Sequence, residues 1–202
     1  MKLENEITVL VKTDYKSLLY ELAQNDFIQK EEYIINDTYL INDTIDMFNM
    51  NTLNILKKCV LVRNVEGIEK ELLYKYKEYA DNGDITKQTK VKCPVVDISK
   101  AIDFMKAIGY RKLFNIYDKC IVFINNKTEL VVQLVNNKYI FIEMESKCEY
   151  IDKEYNTIDD MKDDLCIYNL SIDKSNFFVK KAEIILKELL NNKWRIIKNY
   201  YL

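Results

Sequence analysis

Ile7, Val9 and Val11 alternate with Glu4, Glu6, Thr8, Leu10 and Lys12, the period of two of a strand with one apolar and one largely polar face. Thr13 or Asp14 then caps a helix that carries Leu18, Leu19 and Leu22 on one side and ends near Asn25. Residues 27–40 read as extended, and 43–54 as a turn-rich stretch with some helical character. The β-branched run at 57–63 and the aromatic run at 72–79 predict two further strands, with Gly67 and Gly83 in the turns. Residues 86–96 predict a fifth strand, which Pro94, lacking a backbone donor, ends or confines to an edge.

Asp97 or Ser99 caps the clearest helix, with Ile98, Ala101, Ile102, Met105 and Ile108 at helical spacing and Gly109 as its terminator. Residues 110–124, 129–134 and 138–145 predict three strands, joined by turns at Asn125-Asn126 and Asn136-Asn137 that suit antiparallel hairpins. Stretches 158–166 and 175–191 predict terminal helices, the second striped by Phe178, Ala182, Ile185, Leu186 and Leu189. About eight strands with helices outside them predict an α+β, antiparallel architecture in which closure protects the edges. No repeat or linker divides the 202 residues, so a single domain is expected.

Composition narrows the chemistry. There is no histidine, which removes the usual general base, the Ser-His-Asp arrangement and most zinc sites. The five cysteines are widely spaced, with no Cys-Xaa-Xaa-Cys pair, and read as reduced, mostly buried thiols. A net charge of -2 gives no global field for nucleic acid or anionic membrane, and no apolar run approaches a membrane span. The acidic start, Met-Lys-Leu-Glu-Asn-Glu, is unlike a signal peptide, so a cytoplasmic monomer or homodimer that engages neither nucleic acid nor membrane is expected. The tail from Lys193 to Tyr201 mixes cations and aromatics but is read as packing through Trp194, Ile196, Ile197 and Tyr200. The acids of 159–164 are read as helix amino-terminal charge rather than a calcium loop.

Candidate chemistry lies in paired carboxylates. Glu4 and Glu6 share one face of the first strand, and Glu143 and Glu145 one face of the last. A single Glu-Xaa-Glu strand is usually a solvated face, but these two have company in a particular order. Asp37-Thr38-Tyr39, the run Cys59 to Arg63, Leu72-Leu73-Tyr74-Lys75, Asp118-Lys119 and the ending from Gln133 to Glu145 fall between and around them.

Over residues 1–150 this series resembles the CYTH, or triphosphate tunnel, proteins. Glu4-Asn5-Glu6 is similar to their opening Glu-Xaa-Glu-Xaa-Lys, and Arg63, Lys75 and Lys119 fall on their basic strands. The resemblance implies a closed eight-stranded antiparallel barrel over 1–150, followed by terminal helices over 151–202. It further implies Glu4, Glu6, Glu143 and Glu145 as ligands for Mg2+ or Mn2+, with Glu4, Glu6 and Lys119 in catalysis. Arg63, Lys75, Lys77, Lys119 and Tyr39 would hold a triphosphate-containing small molecule. Such chemistry needs positioning and charge stabilisation rather than a nucleophilic side chain.

The pattern also has departures. Thr8, Leu61 and Ile121 stand where cations are expected, Gln133 stands for a metal-binding aspartate, and Lys90, Lys92 and Pro94 occupy a strand where other charges fall. Lys12, Lys77, Lys90 and Lys92 are the candidates to restore positive charge. The expected activity is hydrolysis of an inorganic, thiamine or nucleoside triphosphate. The alternatives are a class IV adenylyl cyclase and a barrel that binds a triphosphate or nucleotide, or acts as a scaffold, without turnover.

Overall fold

The computed structural model describes residues 6–47, 50–79 and 85–200, with side chains at 77–79, 85–89 and 192–200 outside the description. The chain forms β1 (Glu6–Leu10), α1 (Tyr15–Gln24), β2 (Ile28–Asn42), α2 (Thr52–Leu56), β3 (Cys59–Val65), β4 (Glu69–Tyr79) and β5 (Ile85–Pro94). There follow α3 (Ile98–Ala107), β6 (Tyr110–Ile124), β7 (Glu129–Val135), β8 (Tyr139–Glu145), α4 (Ile158–Ile167) and α5 (Lys181–Tyr200). The eight strands make one antiparallel sheet in the order β1-β8-β7-β6-β2-β3-β4-β5.

Two compact units share these elements: residues 1–35 with 117–179, and residues 36–116 with 180–202. Both β2 and β6 contribute residues to each unit.

In the first unit, Ile7 and Val9 from β1, Ile121 and Phe123 from β6, Leu130 and Val132 from β7, and Ile142 and Met144 from β8 bury one sheet face under Leu18 and Leu22 of α1 and Met161 and Leu165 of α4. Fully burying each such aliphatic side chain stabilises by about 1.5–3 kcal/mol. Local chemistry sets the ends of these elements. Asp14 accepts from the Ser17 amide at 3.0 Å to cap α1, and Thr157 with Asp160 forms a reciprocal capping box on α4. Asn136 and Asn137 take positive φ, at 51° and 53°, in the tight turn that sets the β7–β8 register.

Of the acids of 159–164, Asp160 caps α4 and Asp164 tethers it. Asp164 accepts from Thr128 Oγ1 at 2.6 Å, from Lys153 Nζ at 2.8 Å and from the Tyr155 hydroxyl.

Among the described residues, hydrogen bonds do not close the sheet into the ring expected of a barrel. The outward edge of β1 is occupied by residues 171–179. Thr8 N donates to Phe177 O at 2.9 Å, Val179 N to Thr8 O at 3.0 Å, Asp173 N to Leu10 O at 2.7 Å, and Lys12 N to Ser171 O at 2.7 Å. This strap satisfies donors and acceptors that an edge strand would otherwise expose. It also accounts for α5 starting at Lys181, later than the stripe from 175 suggests.

In the second unit, Ala101 and Met105 of α3 pack on Leu40 of β2 and Val62 of β3, with Val60 and Leu72 beside them. Asp97 caps α3 through the Lys100 amide at 3.0 Å, and Gly109, at φ 87°, ends it as anticipated. All five cysteines are free; Cys59, Cys120 and Cys148 are buried, Cys166 is half-buried and Cys93 is exposed. No helix among the described residues is long and apolar enough to cross a membrane.

Candidate functional site

Strand alternation sends the polar residues of each unit to the sheet face opposite its helices. In the first unit the register sets Glu6 directly opposite Glu145, and Thr8 opposite Glu143. Val131 of β7 continues the Glu143 row, and Gln133 of β7 pairs with both Phe141 of β8 and Cys120 of β6. These residues therefore share a face that Ile142 and Met144 do not. Thr8 Oγ1 donates to Glu143 Oε2 at a long 3.4 Å.

Within this face Thr8, Asp118, Cys120 and Gln133 are buried, Glu6 and Glu143 are half-buried, and Glu145 is exposed. Tyr33 of β2 feels the charge of the same acids. Burial pushes its phenol up, and Cys120, Glu143 and Glu145 push it further, so it stays a neutral donor.

The second unit carries the opposite charge. Arg63 of β3 lies opposite Glu71 of β4, Leu61 opposite Leu73, Leu73 opposite Lys92 of β5, and Lys75 opposite Lys90. Since Val60, Val62 and Leu72 face α3, Arg63, Glu71, Lys75, Lys90 and Lys92 share the other face. Asp37 of β2 grips Arg63 in a fork, taking Nε at 2.8 Å and Nη2 at 2.7 Å, with side-chain exposures of 8% and 19%. Burial alone would lower the guanidinium's pKa, but the Asp37 bonds and charge more than offset this and hold it firmly protonated. Tyr39, two residues from Asp37, stacks on Phe114 with ring centroids 4.4 Å apart. Glu71 is buried, and Lys92 Nζ lies 3.3 Å from its Oε2.

The residues singled out from the sequence thus separate into groups. Glu6, Glu143 and Glu145 come together in the first unit; Arg63, Lys75 and Tyr39 belong to the second. Glu4 lies outside the described residues, as does the side chain of Lys77, whose backbone continues the β4 face opposite Gln88.

Lys119 does not join the acids. It pairs with Leu134, which in turn pairs with Ile140, and so lies on the core-packed face of β6, one pleat from the Cys120 face. There its ammonium binds Glu32 at 2.8 Å, which raises its pKa. Ile121 sits on that same face, buried in the core. Asp118 and Cys120 instead take the Gln133 side, an offset of one residue that the motif alone does not reveal.

Sequence reasoning missed the Asp37–Arg63 fork, Tyr33 and Glu71, though the alternation of Glu71, Leu73 and Lys75 signalled a shared face. The candidate compensating lysines Lys90 and Lys92 do fall on the Lys75 face. Lys12 instead pairs with Asp173 of the strap at 3.1 Å.

Among the described residues no three histidine, cysteine, aspartate or glutamate side chains form a group able to hold a metal ion by themselves. Glu6 and Glu145 nevertheless give two hard oxygen donors in register. Two carboxylates suit magnesium, which keeps waters and takes phosphate oxygens in place of an all-protein cage.

No family model and no curated protein matches this chain. Solved structures do. A conserved hypothetical protein from Pyrococcus furiosus superposes with a TM-score of 0.60 at 15% identity, covering 89% of this chain and 99% of its own. A candidate adenylate cyclase from Vibrio parahaemolyticus superposes with a TM-score of 0.56 at 14% identity, covering 91% and 97%. A candidate adenylyl cyclase from Hippeastrum with a dominant triphosphatase activity gives 0.56 at 9% identity, covering 92% and 96%. At these identities the likeness establishes a shared fold, in agreement with the CYTH-like order of motifs along the chain.

Proposed function

We propose that this chain binds a triphosphate-containing small molecule with magnesium or manganese and hydrolyses it. The observation that carries this reading is the sorting of charge by strand register: carboxylates face one another on β1 and β8, and lysines face one another on β4 and β5. In this reading Glu6, Glu143 and Glu145 offer the metal ligands of the first unit, and Lys75 and Lys90 offer the phosphate partners of the second, where Asp37 already engages Arg63. The bound metal would supply charge neutralisation at the phosphates. Phosphoryl transfer to water asks little more of a protein than positioning and electrostatic stabilisation, so the absence of histidine is no obstacle. Thr8, a neutral donor to Glu143, helps keep that carboxylate in place.

The test is phosphate release from tripolyphosphate, thiamine triphosphate and ATP with magnesium or manganese. Wild type should turn over at least one of them, and Glu4→Gln and Glu145→Gln should slow it. Equal rates in all three proteins would refute hydrolysis at this site. Cyclic AMP and pyrophosphate from ATP would reassign the reaction to a cyclase.

A second reading, binding without turnover, is favoured by β6. Where it pairs with β7, its residues on the Gln133 face are Asp118, Cys120, Val122 and Ile124, none of them a cation, while Lys119 is engaged with Glu32. Losing a phosphate-contacting cation costs phosphoryl transfer as much as several orders of magnitude. Calorimetric binding of a triphosphate with no product formed would establish this reading.

A further inference from the structure

Helix α3 covers only part of the outer face of the second unit's sheet. It starts past the end of β5, where Val95 N donates to Lys70 O at 2.9 Å, and it ends at Gly109, whose carbonyl accepts from Asp43 N at 2.8 Å just beyond β2. It therefore crosses the strands obliquely, with Ala101 and Met105 sealing Leu40 and Val62. The far corner of β4 and β5 is left bare. There Val60, Tyr74 and Val91 stand in one cross-strand row on the helix-bearing face, and Cys93 follows Val91 on the same side of β5. Exposure rises along that row toward the sheet edge: Val60 is half-buried, Tyr74 is 37% exposed and Val91 57%.

One flank of α3 is left bare as well. The helical period sets Ile98 and Ile102 to one side of the Ala101–Met105 line and Phe104 and Ile108 to the other. The first pair packs on the sheet, whereas Phe104 is 60% exposed and Ile108 51%. β5 and β6 are parallel, being four antiparallel steps apart in the sheet order. The right-handed β5–α3–β6 crossover, the hand that strand twist imposes, turns the Phe104–Ile108 flank toward the Tyr74–Val91 corner. An apolar helix wall and an apolar sheet floor thus meet in one exposed groove. Scattered apolar residues on a surface are ordinary, but a contiguous patch drawn from two elements marks an interaction site.

Charge identifies the occupant. Residues 57–112, which supply β3, β4, β5 and α3, carry thirteen lysines and arginines against eight acids, in a chain whose net charge is -2. On the rim stand Lys58, just before β3, and Lys100, one turn before Phe104 on α3, both exposed. Of the acids at α3, Asp97 is committed to the helix cap through Lys100 N, and Asp103 to Lys106. A second copy of this chain would bring the same cations to the same groove. We propose that the groove docks an amphipathic helix of an acidic partner protein. Its apolar side chains, at i, i+3, i+4 and i+7, would lie on Tyr74, Val91, Phe104 and Ile108, and its carboxylates would reach Lys58 and Lys100. A helix laid there becomes a neighbour of α3 at the usual packing distance of about 8–10 Å. The groove lies on the face opposite Arg63 and Lys75, so it is independent of the proposed phosphate site.

The experiment titrates the full chain into a fluorescently labelled synthetic helical peptide with leucine at that spacing and glutamate elsewhere, read by anisotropy. A scrambled peptide of the same composition and a peptide with lysine in place of glutamate are the comparisons. Wild type should bind the patterned acidic peptide at least about tenfold more tightly than either. Val91→Ser/Phe104→Ser changes two exposed side chains and should weaken that binding about tenfold or more. Lys58→Glu/Lys100→Glu should weaken the acidic peptide and favour the lysine peptide, with both effects shrinking as salt is raised. Circular dichroism checks that each variant is folded. No binding of the patterned peptide by wild type, equal binding of the scrambled peptide, or unchanged affinity in both folded variants would overturn the proposal. A wild-type dimer in sedimentation that Val91→Ser/Phe104→Ser dissociates would also overturn it, by assigning the groove to a second copy.

Discussion

Removing Asp37 is the sharpest perturbation of the second unit. Its carboxylate is 8% exposed and takes two charge-assisted hydrogen bonds from an Arg63 side chain that is 19% exposed. Breaking such a pair from one side leaves a mostly buried guanidinium uncompensated, at a cost of about 3–5 kcal/mol. Arg63 retains some contact with water and feels Glu71 as well, which places Asp37→Ala near the lower figure. For a chain of this length, about 3 kcal/mol corresponds to a Tm lowered by roughly 6–12 °C.

Thermal and urea unfolding at neutral pH measure this directly, with Asp37→Leu/Arg63→Met as the companion. Replacing both partners by apolar groups should recover most of the loss, because desolvation of both charges is removed together. A cost below about 1 kcal/mol for Asp37→Ala, the range of an exposed pair, would refute the claim that this fork is a closed structural contact. Asp37→Asn should also free the guanidinium charge and strengthen tripolyphosphate binding.

Two other outcomes follow from the first unit. Lys119→Ala should leave triphosphate affinity unchanged, because Lys119 lies on the core-packed face with Glu32, whereas Lys75→Ala should weaken it about tenfold or more; calorimetry separates the two. For Asp164, burial would raise the carboxyl pKa, but the Lys153, Thr128 and Tyr155 bonds outweigh it and hold it below the ordinary 3.8. A depressed carboxylate stabilises the fold above its unfolded pKa and loses that contribution as pH falls through the folded value. Asp164→Asn should therefore destabilise the protein at pH 7, with the difference shrinking below pH about 4; urea midpoints across pH check this.

Much of the fold was legible because local signals and tertiary packing agree. The alternation of Ile7 and Val9 marks β1, Asp97 and Gly109 bound α3, and the Asn136-Asn137 pair makes its hairpin. The strap at 171–179 was not legible, since its stabilisation comes from backbone bonds to β1 and leaves no side-chain period. Its residues Phe177 and Phe178 look like the start of a helical stripe but pack on the first unit's core instead.

The candidate site was legible where pairs of like residues sit two apart, as in Glu143 and Glu145 or Lys90 and Lys92. It failed at β6, where the alternation is masked by residues buried on both faces: Cys120, Ile121, Val122 and Phe123 are all buried, so nothing in their polarity says which way Lys119 turns. The role of Asp37 also escaped notice, because its partner Arg63 is 26 residues away and only strand pairing brings the two together.

The measurement that bears most directly on the central claim is calorimetric titration of ATP with and without Mn2+ into wild type, Lys75→Ala/Lys90→Ala and Glu143→Gln/Glu145→Gln. Wild type should bind in a metal-dependent way, the lysine double variant should bind at least about tenfold more weakly, and the glutamine double variant should lose the dependence on metal. Binding by both variants indistinguishable from wild type, or no binding by wild type with either metal condition, would contradict it.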